Sequence, residues 1–211
     1  MEERSIGIVL RTRPLTETSL IVQWLTRDHG RIATAAKGAR RPKSPFIGKL
    51  DLFYEAEFSF ARSRKSDLHT LREVSLRETH ASLREDIRSL RQASYFAVLI
   101  EKGSERDTPL LEYYELMKEA LGALSTSISS TALVFSFEMK FLHHSGFQPL
   151  VASLSPAAQM ILERLALAPL GGTHDLPVNN PIRAELSNFL GRAIGTSLEK
   201  LPPERERALR A

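Results

Sequence analysis

Residues 36–49 read AKGARRPKSPFIGK and hold five cations, Lys37, Arg40, Arg41, Lys43 and Lys49, with no acid among them. Gly38, Pro42, Pro45 and Gly48 deny this stretch a helix or a central strand, because glycine raises the entropic cost of ordering and proline removes a backbone donor. It is therefore expected as a loop. Lysine and arginine on such a loop neutralise phosphates and release their counterions, while the glycines let a phosphate backbone approach closely. The plainer alternative is a solvated connection, but ordinary surfaces interleave both signs of charge and this one does not. Arg11, Arg13, Arg31, Arg62, Arg64 and Lys65 lie in or beside neighbouring strands and extend the same candidate surface. Trp24, Phe53, Phe58 and Phe60 are candidates for stacking on bases, although aromatic residues in alternating strands usually form core.

The rest of the inventory is poor in chemistry. The 211 residues include no cysteine, which removes disulfides and thiolate metal sites. The histidines, at 29, 69, 80, 143, 144 and 174, show no metal-protease spacing, and His143 with His144 reads as a helix end suited to the negative pole of the dipole. No cofactor is expected. GxSxG, GxxxxGK[ST] and GxGxxG are absent, and no compact acidic set would hold magnesium. Asp28 beside His29 resembles an acid/base pair on paper, but DHG between two strands is better read as a hairpin turn. No stretch approaches eighteen apolar residues and MEERSIGIVL lacks the pattern of a signal peptide, so a cytoplasmic protein without a membrane span is expected.

The basic charge is unevenly placed. Residues 1–80 hold fifteen Lys and Arg against ten Asp and Glu, whereas 81–211 hold fourteen against fifteen. A basic module that meets a polyanion is thus joined to a near-neutral one with a different task. In the first, IGIVLR, SLIVQWLT, GRIATAAK, FYEAEFSFAR and HTLREVSL have the period of strands. Tyr54, Ala56, Phe58 and Phe60 alternate with Glu55, Glu57 and Ser59, one apolar face and one wet face. Five strands without a helix fit a closed barrel of the OB type. From Ser82 the period is helical. Leu83, Ile87, Leu90, Ala97 and Ile100 share a face of a helix that stops at Gly103 in a left-handed cap. Asp107 or Thr108, ahead of Pro109, caps the next, and SSTALVFSFEMKFLHHSG is a third closed by Gly146. Ser155-Pro156 and Asn180-Pro181 begin two more. Residues 171–180 are expected as a loop and PPERERALRA as a frayed end. The reading is α+β: an OB barrel over 1–80 and an all-helical domain over 81–211. Arg84, Arg88 and Arg91 form a stripe on the first helix, read either as solvated and paired with nearby acids or as a dock for DNA or an acidic peptide.

RTRPLTETSLIVQWLT, then HGRIATAAKGARRPKS, a phenylalanine-rich strand and DLHTLREVSL together resemble the bacterial recombination and repair family RecO over residues 6–76. FEMKFLHHSGFQPL, at 137–150, is similar to the family's helix ending in a glycine, an aromatic residue and a proline. The resemblance implies a non-enzymatic protein that binds single- and double-stranded DNA and anneals complementary strands. It also implies joining RecR and helping RecA replace single-strand-binding protein, placing the chain at the nucleoid. Many members carry a four-cysteine zinc finger after this proline, whereas here GFQPL runs into VASLSPAAQ and the finger is missing. The helical domain is expected to receive the acidic, apolar tail of single-strand-binding protein on a groove lined by the third helix, with Lys140 or Arg84, Arg88 and Arg91 as charge partners. The competing readings are an OB-containing RNA-processing enzyme or accessory subunit, and a scaffold that binds only protein.

Overall fold

The computed structural model describes residues 2–126, 129–176 and 178–210. The chain forms two compact units, one made of the strands up to His80 together with residues 104–115, the other of 81–103 and the residues from Leu116 onward.

In the first unit, β1 (Glu2–Pro14), β2 (Leu20–Thr26), β3 (Gly30–Ala36), β4 (Glu55–Ala61) and β5 (Leu68–Glu78) close into a barrel in the order β1-β2-β3-β5-β4. Among the five strands, β3 and β5 alone pair in parallel. This is the OB fold. β1 serves two neighbours, pairing through Gly7–Pro14 with β2 and through Glu2–Ile8 with β4, and a bulge lies between Val9 and Arg11 in its pairing with β2. Val9, Val22, Trp24, Ile32, Phe58, Phe60, Leu71 and Val74 fill the interior. Trp24 stacks on Phe58 at 4.1 Å between ring centroids and donates its indole N–H to the Thr34 hydroxyl at 2.9 Å. With Phe53, these rings are core and present no face for stacking bases.

The DHG segment is a turn, as its composition predicts. The His29 N–H donates to the Thr26 hydroxyl at 2.9 Å, and Gly30 sits at φ +67°, where a Cβ would lie 1.9 Å from the Thr108 carbonyl oxygen. That close approach marks the main difference from a clean division at residue 80. Residues 104–115 return to the barrel, with the Asp107 N–H bonded to the Arg31 carbonyl at 3.0 Å. Asp107 lies at φ +54°, and α2 (Leu111–Thr126) begins three residues past Thr108, so neither residue stands at its cap position. The same segment buries part of the expected wet face, for Glu55 is 4% exposed and accepts from the Tyr114 hydroxyl at 2.8 Å. Burial, followed by that hydrogen bond, pushes the Tyr114 hydroxyl well above the ordinary tyrosine range.

The second unit is built from α1 (Ile87–Gly103), α2 from Leu116, α3 (Thr131–His144), α4 (Pro156–Leu167), α5 (Asn180–Ser197) and α6 (Glu204–Leu209). Phe96 of α1 stacks on Phe137 of α3 at 3.9 Å. Gly103 is no left-handed cap. It is small because a Cβ there would come within 2.3 Å of the Phe141 ring. Ile87, expected on the apolar face, is the first residue of α1 and is exposed, and a separate 3-10 turn holds Ala81–Arg84. Ser155 caps α4 by accepting from the Ala158 N–H, and Asn179, one residue earlier than expected, caps α5. Gly146, at φ +74°, closes α3. Within the expected loop at 171–180 a 3-10 turn runs over Leu170–Asp175, and Pro177 lies outside the described residues. The end expected to fray is instead docked: Arg205 of α6 is buried and donates to both carboxylate oxygens of Glu138, at 2.6 and 3.1 Å, while the Tyr95 hydroxyl donates to Glu138 at 2.6 Å.

Asp86 caps α1 by accepting from the backbone N–H groups of Arg88 at 3.1 Å and Ser89 at 3.3 Å. Burial opposes its ionisation, but these bonds and the Arg88 side chain outweigh it and lower its pKa from 3.8 to about 2. A depressed carboxyl stabilises the fold above its unfolded pKa, and this contribution is lost as pH falls from about 4 to about 2. Asp86→Ala is expected to cost about 1 kcal/mol at neutral pH, with a shallower acid-induced fall in melting temperature than the parent protein shows.

Candidate nucleic-acid interface

The connection from Lys37 to Tyr54 is not a slack loop but a run of overlapping turns. The N–H groups of Arg41, Ser44, Ile47 and Lys49 donate to the carbonyls of Gly38, Arg41, Ser44 and Phe46, at 3.0 to 3.3 Å. Gly38 and Gly48, both at φ +69°, reverse the chain at positions that strongly favour glycine. One end is tied to the β1–β2 turn, where the Arg40 N–H donates to the Thr18 carbonyl at 3.0 Å and the Gly38 N–H to the Ser19 hydroxyl at 3.3 Å. Ala39 and Phe46 plug into the barrel interior. Phe46 escaped the sequence reading because one apolar residue between prolines and glycines has no periodicity to betray it.

This anchoring fixes where the charges stand. Lys37, Arg40, Arg41 and Lys43 are exposed, and none has an ion-pair partner among the described residues. Lys49 differs, being half-buried with its ammonium donating to the Val74 carbonyl at 3.2 Å. Arg13 is exposed near the same β1–β2 turn, Arg11 is exposed on β1, and Arg64 and Lys65 are exposed in the β4–β5 turn. Two other candidates have their guanidinium groups committed within the unit. Arg31 donates to the Ser104 hydroxyl at 2.8 Å and its carbonyl at 2.5 Å. Arg62 forks onto Glu3 at 2.9 and 3.3 Å and reaches Asp107 at 3.4 Å. The hydrogen bond from Arg62 holds the Glu3 carboxyl below its usual range, and the same bond raises Arg62. Sequence alone does not separate these residues from the exposed cations, since their partners are 45 to 73 positions away.

In the helical unit the expected stripe does not converge on a groove. Arg88 donates to Asp86 at 3.2 Å, Arg84 is exposed on the 3-10 turn, and Arg91 borders a cavity of about 180 Å³ with Ile87, Leu90 and Arg207. Lys140 is half-buried on α3. A larger cavity, about 620 Å³, lies instead between the start of α3, α5 and α6. Phe135, Leu201 and Leu209 give it apolar walls, and Arg183 and Arg210 stand on it. Among the described residues, no three His, Cys, Asp or Glu side chains gather as metal ligands, and no helix is long and apolar enough to cross a membrane.

A closed OB barrel carrying an anchored turn of unpaired cations, in a chain that continues into a helical unit, defines an OB-fold protein with a surface suited to polyanions. Residues 1–80 match the family model described as Recombination protein O N terminal, and residues 84–153 match Recombination protein O C terminal. The chain belongs to the RecO family. It is 34% identical over 143 residues to the DNA repair protein RecO of Bacillus subtilis, covering 68% of this chain and 55% of that protein. The DNA repair protein RecO of Rhodopirellula baltica is also 34% identical over 143 residues, covering 66% and 53%, and that of Exiguobacterium sibiricum is 29% identical over 149 residues, covering 71% and 59%. The matched stretch spans little more than half the length of these curated relatives.

Proposed function

We propose that this protein is a mediator of DNA repair and recombination that binds single- and double-stranded DNA through its barrel, anneals complementary strands and performs no covalent chemistry. The observation that carries this reading is the anchored set Lys37, Arg40, Arg41 and Lys43, exposed without carboxylate partners on a barrel of the RecO family. Phosphates are the natural counterions of such a set, and annealing needs charge neutralisation with the bases left free, not a nucleophile. With RecR, the protein helps load RecA onto single strands coated by single-strand-binding protein. The acidic, apolar tail of that coating protein is received at the α3–α5–α6 cavity, with its apolar side chains against Leu201 and Leu209 and its carboxylates facing Arg183, since Arg210 is already paired with Glu206.

The test is annealing of complementary oligonucleotides, naked and coated with single-strand-binding protein, with magnesium present throughout. Acceleration of both reactions, with the strands recovered intact, is the expected result. Cleavage of the strands would favour a processing enzyme, and no binding at any salt concentration would leave a scaffold for proteins.

A further inference from the structure

Resting on the reading of the barrel as a DNA-binding unit, we propose that it also holds a pocket for one nucleotide unit, distinct from the exposed phosphate contacts. A cavity of about 350 Å³ is formed by β1, β4, β5 and the 37–54 connection, at the small end of the ~300–1,000 Å³ range of ligand pockets. Three cations line it, Arg4, Lys49 and Arg72. Arg72 is there because of a bulge: Ser59 pairs with Glu73 and Phe60 with Leu71, leaving Arg72 as the extra residue of β5. Bulges commonly re-aim a side chain in this way beside functional sites. Arg4 and Glu73 flank Ser59 in register from either side, and the Lys49 ammonium is held by the Val74 carbonyl at 3.2 Å.

Ser59 is the telling residue. It is 2% exposed, lines the cavity, and its hydroxyl has no hydrogen-bond partner among the described residues. A buried hydroxyl without a partner destabilises a fold, and alanine would serve better there unless the hydroxyl meets a ligand. Phe46 gives an apolar wall beside it. The Glu57 carboxylate, also on the cavity, is paired with Arg77 at 3.1 Å, whereas Glu73 has no ion-pair partner among the described residues and can accept from an exocyclic amino group. A base therefore lies against Phe46, hydrogen-bonded to Ser59 and Glu73, with its phosphate among Arg4, Lys49 and Arg72.

The test compares the full chain's affinity for a deoxycytidine oligomer and for an abasic backbone of equal length. Phosphate contacts act on both, so the ratio of the two affinities isolates the base. It is expected to be about tenfold, near the lower end of what one base contact contributes. Ser59→Ala should bring the ratio down at least threefold while leaving the melting temperature unchanged or higher, and Glu73→Ala, which removes the acceptor at an exposed position that cannot be blamed on misfolding, should do likewise. A second arm titrates deoxycytidine monophosphate, whose binding Arg72→Ala should weaken. Monophosphate binding without strand binding would sustain the pocket for a free nucleotide and remove the DNA reading. A ratio of one, a ratio indifferent to both substitutions, or binding of neither probe would overturn the pocket.

Discussion

Replacing Arg40, Arg41 and Lys43 together by alanine is expected to flatten the salt dependence of single-stranded DNA binding by roughly two units of slope, from about 0.7 per phosphate contact. All three side chains are exposed, and the turns that shape the connection are closed by backbone groups, so the substitutions leave its anchors intact. The melting temperature should hardly move, since exposed changes of this kind usually cost less than about 0.5 kcal/mol. Because phosphate contacts position a strand without reading it, the loss should be equal for homopolymers of different base. A triple variant that keeps the parental slope and annealing rate would reduce the connection to a solvated link.

The largest effect on stability is expected at Glu138. Its carboxylate is fully buried, and among the described residues it is the one ion-pair partner of Arg205, whose side chain is 7% exposed. The Tyr95 hydroxyl donates to the same carboxylate, and burial, followed by the charge of Glu138, pushes that hydroxyl well above the usual tyrosine range. Glu138→Ala strands a guanidinium in the interior, a change that costs about 3–5 kcal/mol, whereas a paired replacement of Glu138 and Arg205 by apolar residues of similar volume should cost far less. Chemical denaturation of the single and paired variants measures this. Equal destabilisation by both would mean that packing, not the stranded charge, decides the matter.

How much of this was legible in the sequence follows from the range of each interaction. The five strands announce themselves by alternation, and Ser155 with Pro156 or Gly146 after His144 mark helix ends through contacts within a few residues. The number of strands and the basic turn follow from the same local signals, whereas the order β1-β2-β3-β5-β4 rests on pairings between distant strands. Residues held by distant partners were not legible. Arg205 sits in a polar, proline-led stretch that reads as fraying, and only Glu138, 67 positions earlier, fixes it. Glu55 reads as wet until Tyr114 covers it, 59 positions later. Arg31 and Arg62 look like neighbours of the basic turn, yet each is bound to groups that a single-sequence pattern does not connect to it. Charge placement was visible, but charge availability was not.

Lysine footprinting with a bound oligonucleotide tests the central claim most directly. The full chain is acetylated with and without single-stranded DNA at low salt, and the modified positions are read by mass spectrometry. Lys37 and Lys43, exposed on the barrel's basic turn, are expected to be protected by the strand, while Lys102 and Lys200, exposed in the helical unit, remain as reactive as in the free protein. Protection at Lys102 and Lys200 with Lys37 and Lys43 still fully reactive would contradict the account.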